Sequence, residues 1–291
     1  GSSVNDQLDL FPAHHVPHAV LKDAERREIG GFTFFLGTHH ASWLTRTDVP
    51  LFISRRALDG RTTLPRARGR WALDSGGFTE LSLHGRWTVE PRRYAELVAR
   101  AADDIGGLAW AAIQDWMCEE AILQRTGRSV AQHQRATIES WLELKARAPH
   151  LPWAPVLQGW TRGDYLEHLD AWERAGVDLA KVPVVGVGTV CRRQHTLRAS
   201  LLLTELAELG LRLHAFGFKT AGLLSSREAL ASSDSLAWSL NARRNPPHPD
   251  CDHKRCSNCL RYALDWRERL VDRLGAGSVP ASSAEQLREA R

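Results

Sequence analysis

Trp71-Ala72-Leu73-Asp74 runs straight into Ser75-Gly76-Gly77-Phe78. Three apolar residues suited to a buried strand stop at a carboxylate, and two glycines then let the backbone turn and approach a planar ligand closely. Seven further short runs rich in β-formers recur on either side: Phe32 to His39, Leu51 to Arg56, Leu108 to Asp115, Trp153 to Gln158, Leu179 to Val185, Leu211 to Phe218 and Ser233 to Trp238. Helix-like stretches separate most of them. Pro91 opens one whose Tyr94, Leu97, Val98, Ala101 and Ile105 fall on one face, and Ser225 with Glu228 reads as a capping box for another. Eight alternating units are what a (β/α)8 barrel requires, so the expected fold is α/β, a TIM barrel. The links after the first two runs are too short for full helices, which makes the barrel irregular there.

A chain of 291 residues with 43% hydrophobic and 25% charged residues can bury such a core in one domain. The expected division is an N-terminal extension over 1–31 that includes a cloning remnant (Gly1-Ser2-Ser3), a catalytic barrel over 32–247, a zinc lobe with a closing helix over 248–275, and a flexible tail over 276–291. No apolar run reaches the ~18 residues of a membrane span, and no signal-peptide pattern opens the chain, so a cytoplasmic location is expected. The formal net charge of +4 fits a polyanionic partner without requiring one.

Cys251, His253, Cys256 and Cys259 form a C-x-H-x-x-C-x-x-C run. Four such ligands complete a tetrahedral Zn²⁺ site with no position open to water, so the zinc is expected to be structural, pinning the loop before a helix that starts near Ser257. His248 is the alternative to His253. Cys191 has no evident partner.

In a barrel the chemistry sits where strands end. Asp74, Asp115 and Asp234 lie at such points, Gln158 ends the fifth run before Gly159, and Gly186-Val187-Gly188 ends the sixth. A carboxamide offers donors and acceptors to the edge of a base, and glycines free backbone N–H and C=O groups to do the same. Two or three carboxylates around one cavity suit attack at an anomeric carbon, with one acting as nucleophile and another moving protons. His39 and His40 end the first run and read more readily as structural histidines than as ribose or phosphate contacts.

At these residues the chain resembles the tRNA-guanine transglycosylase superfamily, and more closely its DNA-modifying DpdA branch. The likeness lies in Asp74 to Phe78, in Asp115 with Cys118, in Gln158-Gly159, in Val185 to Gly188, in the stretch LHAFGFKT from Leu213 to Thr220, and in DSLAWSLNAR from Asp234 to Arg243. It spans about Phe34 to Trp266. The tRNA enzymes carry a C-x-C-x-x-C run with a distant histidine and a longer chain, and this departure favours DNA over tRNA.

The resemblance implies exchange of guanine in DNA for a 7-deazaguanine base through a covalent aspartyl-glycosyl intermediate. It assigns Asp234 as nucleophile and Asp74 as proton donor and acceptor, with Asp115, Gln158 and the Gly186–Gly188 backbone on the base edge. Ser75, Gly76, Phe78, Phe218 and Lys219 complete the expected substrate site, and Phe78, Trp116, Trp160 and Phe218 are expected to stack on the base and exclude water. Arg192, Arg193, Arg243, Arg244, Lys254 and Arg255 are the expected phosphate contacts. The target nucleotide must leave its stack, which costs a few kcal/mol in a duplex. Expected partners are therefore nucleic acid and a free 7-deazaguanine base, with no membrane; helper proteins and oligomeric state stay open. The alternatives are a tRNA or nucleoside transglycosylase, a hydrolytic glycosylase, a silent nucleic-acid-binding barrel and, more remotely, a zinc hydrolase. Carboxylates at three strand ends speak against a pure binder of polyanions.

Overall fold

The computed structural model describes residues 31–189 and 197–276. The expected N-terminal extension up to residue 30, Cys191, Arg192, Arg193 and the tail from 277 lie outside the described residues.

The strands are β1 (Thr33–Thr38), β2 (Leu51–Ser54), β3 (Trp71–Asp74), β4 (Leu108–Ala112), β5 (Trp153–Ala154), β6 (Val156–Leu157), β7 (Val185–Val187), β8 (Leu213–Ala215) and β9 (Ser232–Ser235). All neighbours pair in parallel, in the order β5-β4-β3-β2-β1-β9-β8-β7-β6. β5 and β6 are two halves of one run broken at Pro155, which has no N–H for a ladder. The first half pairs with β4 and the second with β7, so one segment holds both edges and the sheet curls into a nearly closed barrel. The expected TIM-type α/β fold is what the chain adopts.

Alternation along the strands sorts side chains into two cores. Phe34, Leu36, Leu51, Ile53, Trp71 and Leu73 belong to the large cluster that also holds the buried residues of the surrounding helices. Phe35, Phe52, Ala72, Trp110, Ala112, Ala154 and Val184 fill a second cluster, with Phe216 packed against it. Parallel register pairs Phe35 with Asp234, Phe52 with Ala72, Ser54 with Asp74 and His214 with Ser232, so these residues share the inner face. The barrel interior is therefore packed below and polar at its mouth.

The helix Pro91–Ile105 buries Tyr94, Val98, Ala101 and Ile105 as its spacing predicts, and short 3-10 turns, Ala41–Thr45 and Arg55–Ala57, replace helices after β1 and β2. Four expectations shift. Leu179–Lys181 is a 3-10 turn rather than strand, because the Asp178 side chain caps it and Pro183 delays the ladder to β7. The last run ends at Ser235, and Ala237–Arg244 is helical. Ser225 makes no capping box; its hydroxyl donates to Gly222 O, and the capping boxes are Ser129/Gln132 and Thr161/Asp164. The closing helix starts at Leu260, not near Ser257, and its Arg267 reaches through the wall to the Phe34 carbonyl at 2.9 Å. Among the described residues, no helix is long and apolar enough to cross a membrane.

Candidate active site

The polar residues of the mouth are held by hydrogen bonds, several of them from residues distant in the chain. After β3 the backbone turns through Gly76 at φ +78°, a left-handed value that glycine adopts without strain, and helix Gly77–His84 begins at once. Ser75 Oγ accepts from the Gly77 N–H and donates to Asp115 Oδ1 at 3.3 Å. Below this turn the buried Arg55 donates through Nε to the Ser75 carbonyl and pairs with Glu80, whose other oxygen takes both donors of Thr88. The turn is thus tied to the barrel wall by a fully partnered buried ion pair.

Asp115, past the end of β4, is buried and receives Gln158 Nε2 on Oδ2 at 2.6 Å. The Gln158 carbonyl is in turn held by Thr189 Oγ1 at 2.9 Å, and Thr189 accepts the Cys118 N–H. Thr189 sits at φ +66°, which is strained for a β-branched residue. Gly188 lies against the same amide: a Cβ there would fall 2.1 Å from Gln158 Nε2. The N–H groups of Gly186 and Gly188 go to the carbonyls of Pro155 and Leu157, and the Gly188 carbonyl accepts from Tyr165. The two glycines therefore make room, Gly186 for Phe216 and Gly188 for Gln158, and their N–H groups are spent on the ladder; the expectation that these were left over for a base is corrected.

Asp234 on β9 is buried at 6% exposure. Its Oδ1 receives His214 Nε2 at 2.9 Å and the Gly217 N–H at 3.1 Å. The three carboxylates share one field. Burial, then the charges of Asp115 and Asp234, push the Asp74 carboxyl up to about 7, against the opposing pull of the Gly76 N–H and Arg55. Burial pushes Asp115 up to about 6, opposed by its hydrogen bonds from Gln158 and Ser75. A carboxyl poised near neutrality beside two others suits proton transfer at physiological pH.

Phe78 and Trp160 stand at 44% and 36% exposure, whereas Trp116 is buried against His133 and under the Arg128 guanidinium. Phe218 is 1% exposed and belongs to the large outer core cluster, so it packs as core instead of facing a base. His40 stacks on Trp43.

Cys251, His253, Cys256 and Cys259 bring one ligand atom each to within 4.8 Å of one another. The Cys251 and Cys259 sulfurs are 3.8 Å apart, matching the edge of about 3.8 Å that a tetrahedron with 2.3 Å Zn–S bonds requires. His253 Nε2 faces Cys256 Sγ at 3.1 Å, while His248 turns its Nδ1 to the Asp250 N–H and gives its own N–H to Cys256 Sγ. His253 and not His248 completes the set, which is able to hold a metal ion and is compatible with zinc. Burial and the neighbouring thiols push Cys251 up to about 12, so a divalent cation is the counter-charge that would let these groups act as thiolates. Ser239 donates to Ser257 O at 2.8 Å and Tyr262 to Asn241, tying the lobe to helix Ala237–Arg244 directly after Asp234.

The model of the family DpdA, DeoxyPurine in DNA protein A, matches residues 32–287. The chain belongs to the DpdA family. DpdA is tRNA-guanine transglycosylase-like, and membership supports a transglycosylase function of the DNA 7-deazaguanine type in general terms, with DNA as the implied substrate. No curated protein matches the chain.

In this DpdA-family chain the barrel gathers Asp74, Ser75, Asp115, Gln158 and Asp234 around one mouth. Arg243, Arg244, Lys254 and Arg255 are exposed on the helix after β9 and on the metal lobe. Lys219 stands at the N-cap position of helix Thr220–Ser226 without a side-chain capping hydrogen bond. Arg55, Thr189, Ser232 and His214 are the residues that sequence reading missed. A basic residue one position past β2 and a histidine three before the glycine of LHAFGFKT were visible, but their partners lie 25 and 20 residues away and only the fold supplies them.

Proposed function

We propose that this chain exchanges guanine in DNA for a 7-deazaguanine base of the preQ0 type by double displacement. The convergence of Asp74, Asp115 and Asp234 on one barrel mouth, with Asp74 poised near 7, is the observation that carries the reading. Asp234 attacks C1′, the bond to N9 breaks through an oxocarbenium-like state, and a glycosyl ester forms with the electron pair leaving on the base. Asp74 gives the departing guanine its proton and takes one from the incoming base. Asp115, held ready by Gln158 and Ser75, accepts from the N–H edge of the purine. Two displacements at C1′ retain its configuration, and no nucleotide cofactor enters.

Phe78 and Trp160, both partly exposed, would shield the intermediate from water, and the exposed Arg243, Arg244, Lys254 and Arg255 would run along phosphates. Zn²⁺ held by Cys251, His253, Cys256 and Cys259 would act structurally, since four protein ligands leave no vacancy.

The test is release of labelled guanine from duplex DNA, single-stranded DNA and tRNA, with and without an added 7-deazaguanine base, for the wild type and Asp234→Asn. Base-dependent release from DNA, lowered at least ~10³-fold by the substitution, is expected. Release from tRNA alone moves the substrate, release without added base means hydrolysis, and release that survives Asp234→Asn removes the nucleophile.

A further inference from the structure

His214 is fully buried on β8, inside a cage of Trp110 at 4.6 Å, Phe216 at 4.9 Å, Phe52 at 5.5 Å and Phe35 at 6.0 Å between ring centroids. A polar ring in such a cage is costly unless both nitrogens are satisfied. Both are. Nδ1 lies 2.8 Å from Ser232 Oγ, which the β8–β9 register sets directly opposite, and Nε2 lies 2.9 Å from Asp234 Oδ1. A hydroxyl can donate to Nδ1, which leaves the ring proton on Nε2 and aims it at the carboxylate. Gly217, just past β8, sends its N–H to the same Oδ1. Among the described residues, both donors to Asp234 converge on one oxygen.

We propose that His214, with its tautomer set by Ser232, is a positioning residue that clamps Asp234 Oδ1 and so designates Oδ2 as the oxygen that attacks C1′; this rests on Asp234 being the nucleophile, as argued above. Oδ2 bonds to C1′ while the C1′–N9 bond breaks, its electron pair leaves on the base, and Asp74 supplies the base with a proton. Oδ1 becomes the ester carbonyl oxygen and stays hydrogen-bonded to His214 and Gly217. In the second half the incoming base gives its N–H proton to Asp74, its nitrogen displaces Oδ2, and the carboxylate is restored in the same orientation. His214 keeps its proton throughout. Fixing one oxygen leaves the nucleophile few orientations, and misplacement of a reacting group by about 1 Å costs about 10²-fold.

Two variants test this against simple packing. His214→Phe keeps an aromatic ring in the cage and removes the donor; His214→Gln places an amide N–H near the Nε2 position. We expect His214→Phe to lower kcat for base exchange about 30-fold with KM for DNA nearly unchanged, and His214→Gln to recover most of it. Equal loss in both variants with native melting curves, or no loss in His214→Phe, overturns the proposal. ¹⁵N NMR of the wild-type imidazole provides a readout independent of turnover. A proton on Nε2 is expected, and a proton on Nδ1 alone overturns the clamp while leaving the transglycosylase reading standing. A wild type that exchanges base in no DNA overturns both.

Discussion

Gln158 donates to Asp115 at 2.6 Å while its own carbonyl is pinned by Thr189 at 2.9 Å, so the amide cannot flip and Asp115 always meets a donor. That hydrogen bond favours the ionised carboxylate against the burial that pushes it up to about 6. Gln158→Met, close in volume, removes the donor and lets Asp115 climb further. The acid limb of the pH–rate profile should move to higher pH, and the KM for the incoming base should rise about tenfold, as loss of a hydrogen bond to a charged group implies. An unmoved acid limb would show that Asp115 is not the group titrating there.

Thr189 holds a left-handed backbone value at some cost, of order 1 kcal/mol, in exchange for orienting Gln158. Thr189→Gly relieves the backbone and frees the amide. The variant should melt within a few degrees of the wild type, yet exchange base about tenfold more slowly. Equal losses of stability and activity would assign Thr189 to packing alone.

Asp74 carries its carboxyl at about 7 in the fold against 3.8 for the free group. Between those values the folded chain holds a proton that the unfolded chain has lost, so this group's contribution falls as pH rises from about 4 to about 7. At pH 8 the desolvated charge is a net penalty. Asp74→Asn should therefore be more stable than the wild type at pH 8, by about 2 kcal/mol, and nearly equal to it at pH 4, even as exchange is abolished. Urea titrations at the two pH values read this directly; a constant difference between them would mean that the group is not shifted.

Much of this mouth was legible because strands must end somewhere and polar residues there face the cavity. Asp74, Asp115, Gln158 and Asp234 could be read that way, and the third run matched its strand from end to end. What the sequence concealed follows from three-dimensional register. Nothing local marks Thr189 as left-handed, and nothing marks His214 as the partner of Asp234 until β8 and β9 align. Gly186 and Gly188 were visible as special positions, but whether a bare Cα serves a ligand or a neighbour depends on what packs above it; here it is Phe216 and Gln158. The apolar run from Leu179 looked like a strand because hydrophobicity alone cannot weigh the Asp178 cap or Pro183.

The metal lobe gives a prediction that does not depend on the substrate. About one Zn²⁺ per chain should copurify, and Cys256→Ser, which replaces the buried thiol, should lose it. Because the lobe is tied through Ser239 and Tyr262 to the helix after Asp234, metal loss should lower the melting temperature and raise hydrogen exchange in Ala237–Arg244 before it reaches the β1–β4 wall. Full metal content in Cys256→Ser would remove that thiol from the ligand set.

The aromatic cluster around His214 leaves the barrel with a floor. Phe35, Phe52, Trp110 and Phe216 close the interior beneath the carboxylates, and Phe216 can cross it only because Gly186 has no side chain. Among the described residues, this packing closes the interior on the side away from the mouth. Were the proposed exchange to run there, the departing base would have to clear the mouth before its replacement entered, and free guanine would compete with the molecule meant to succeed it.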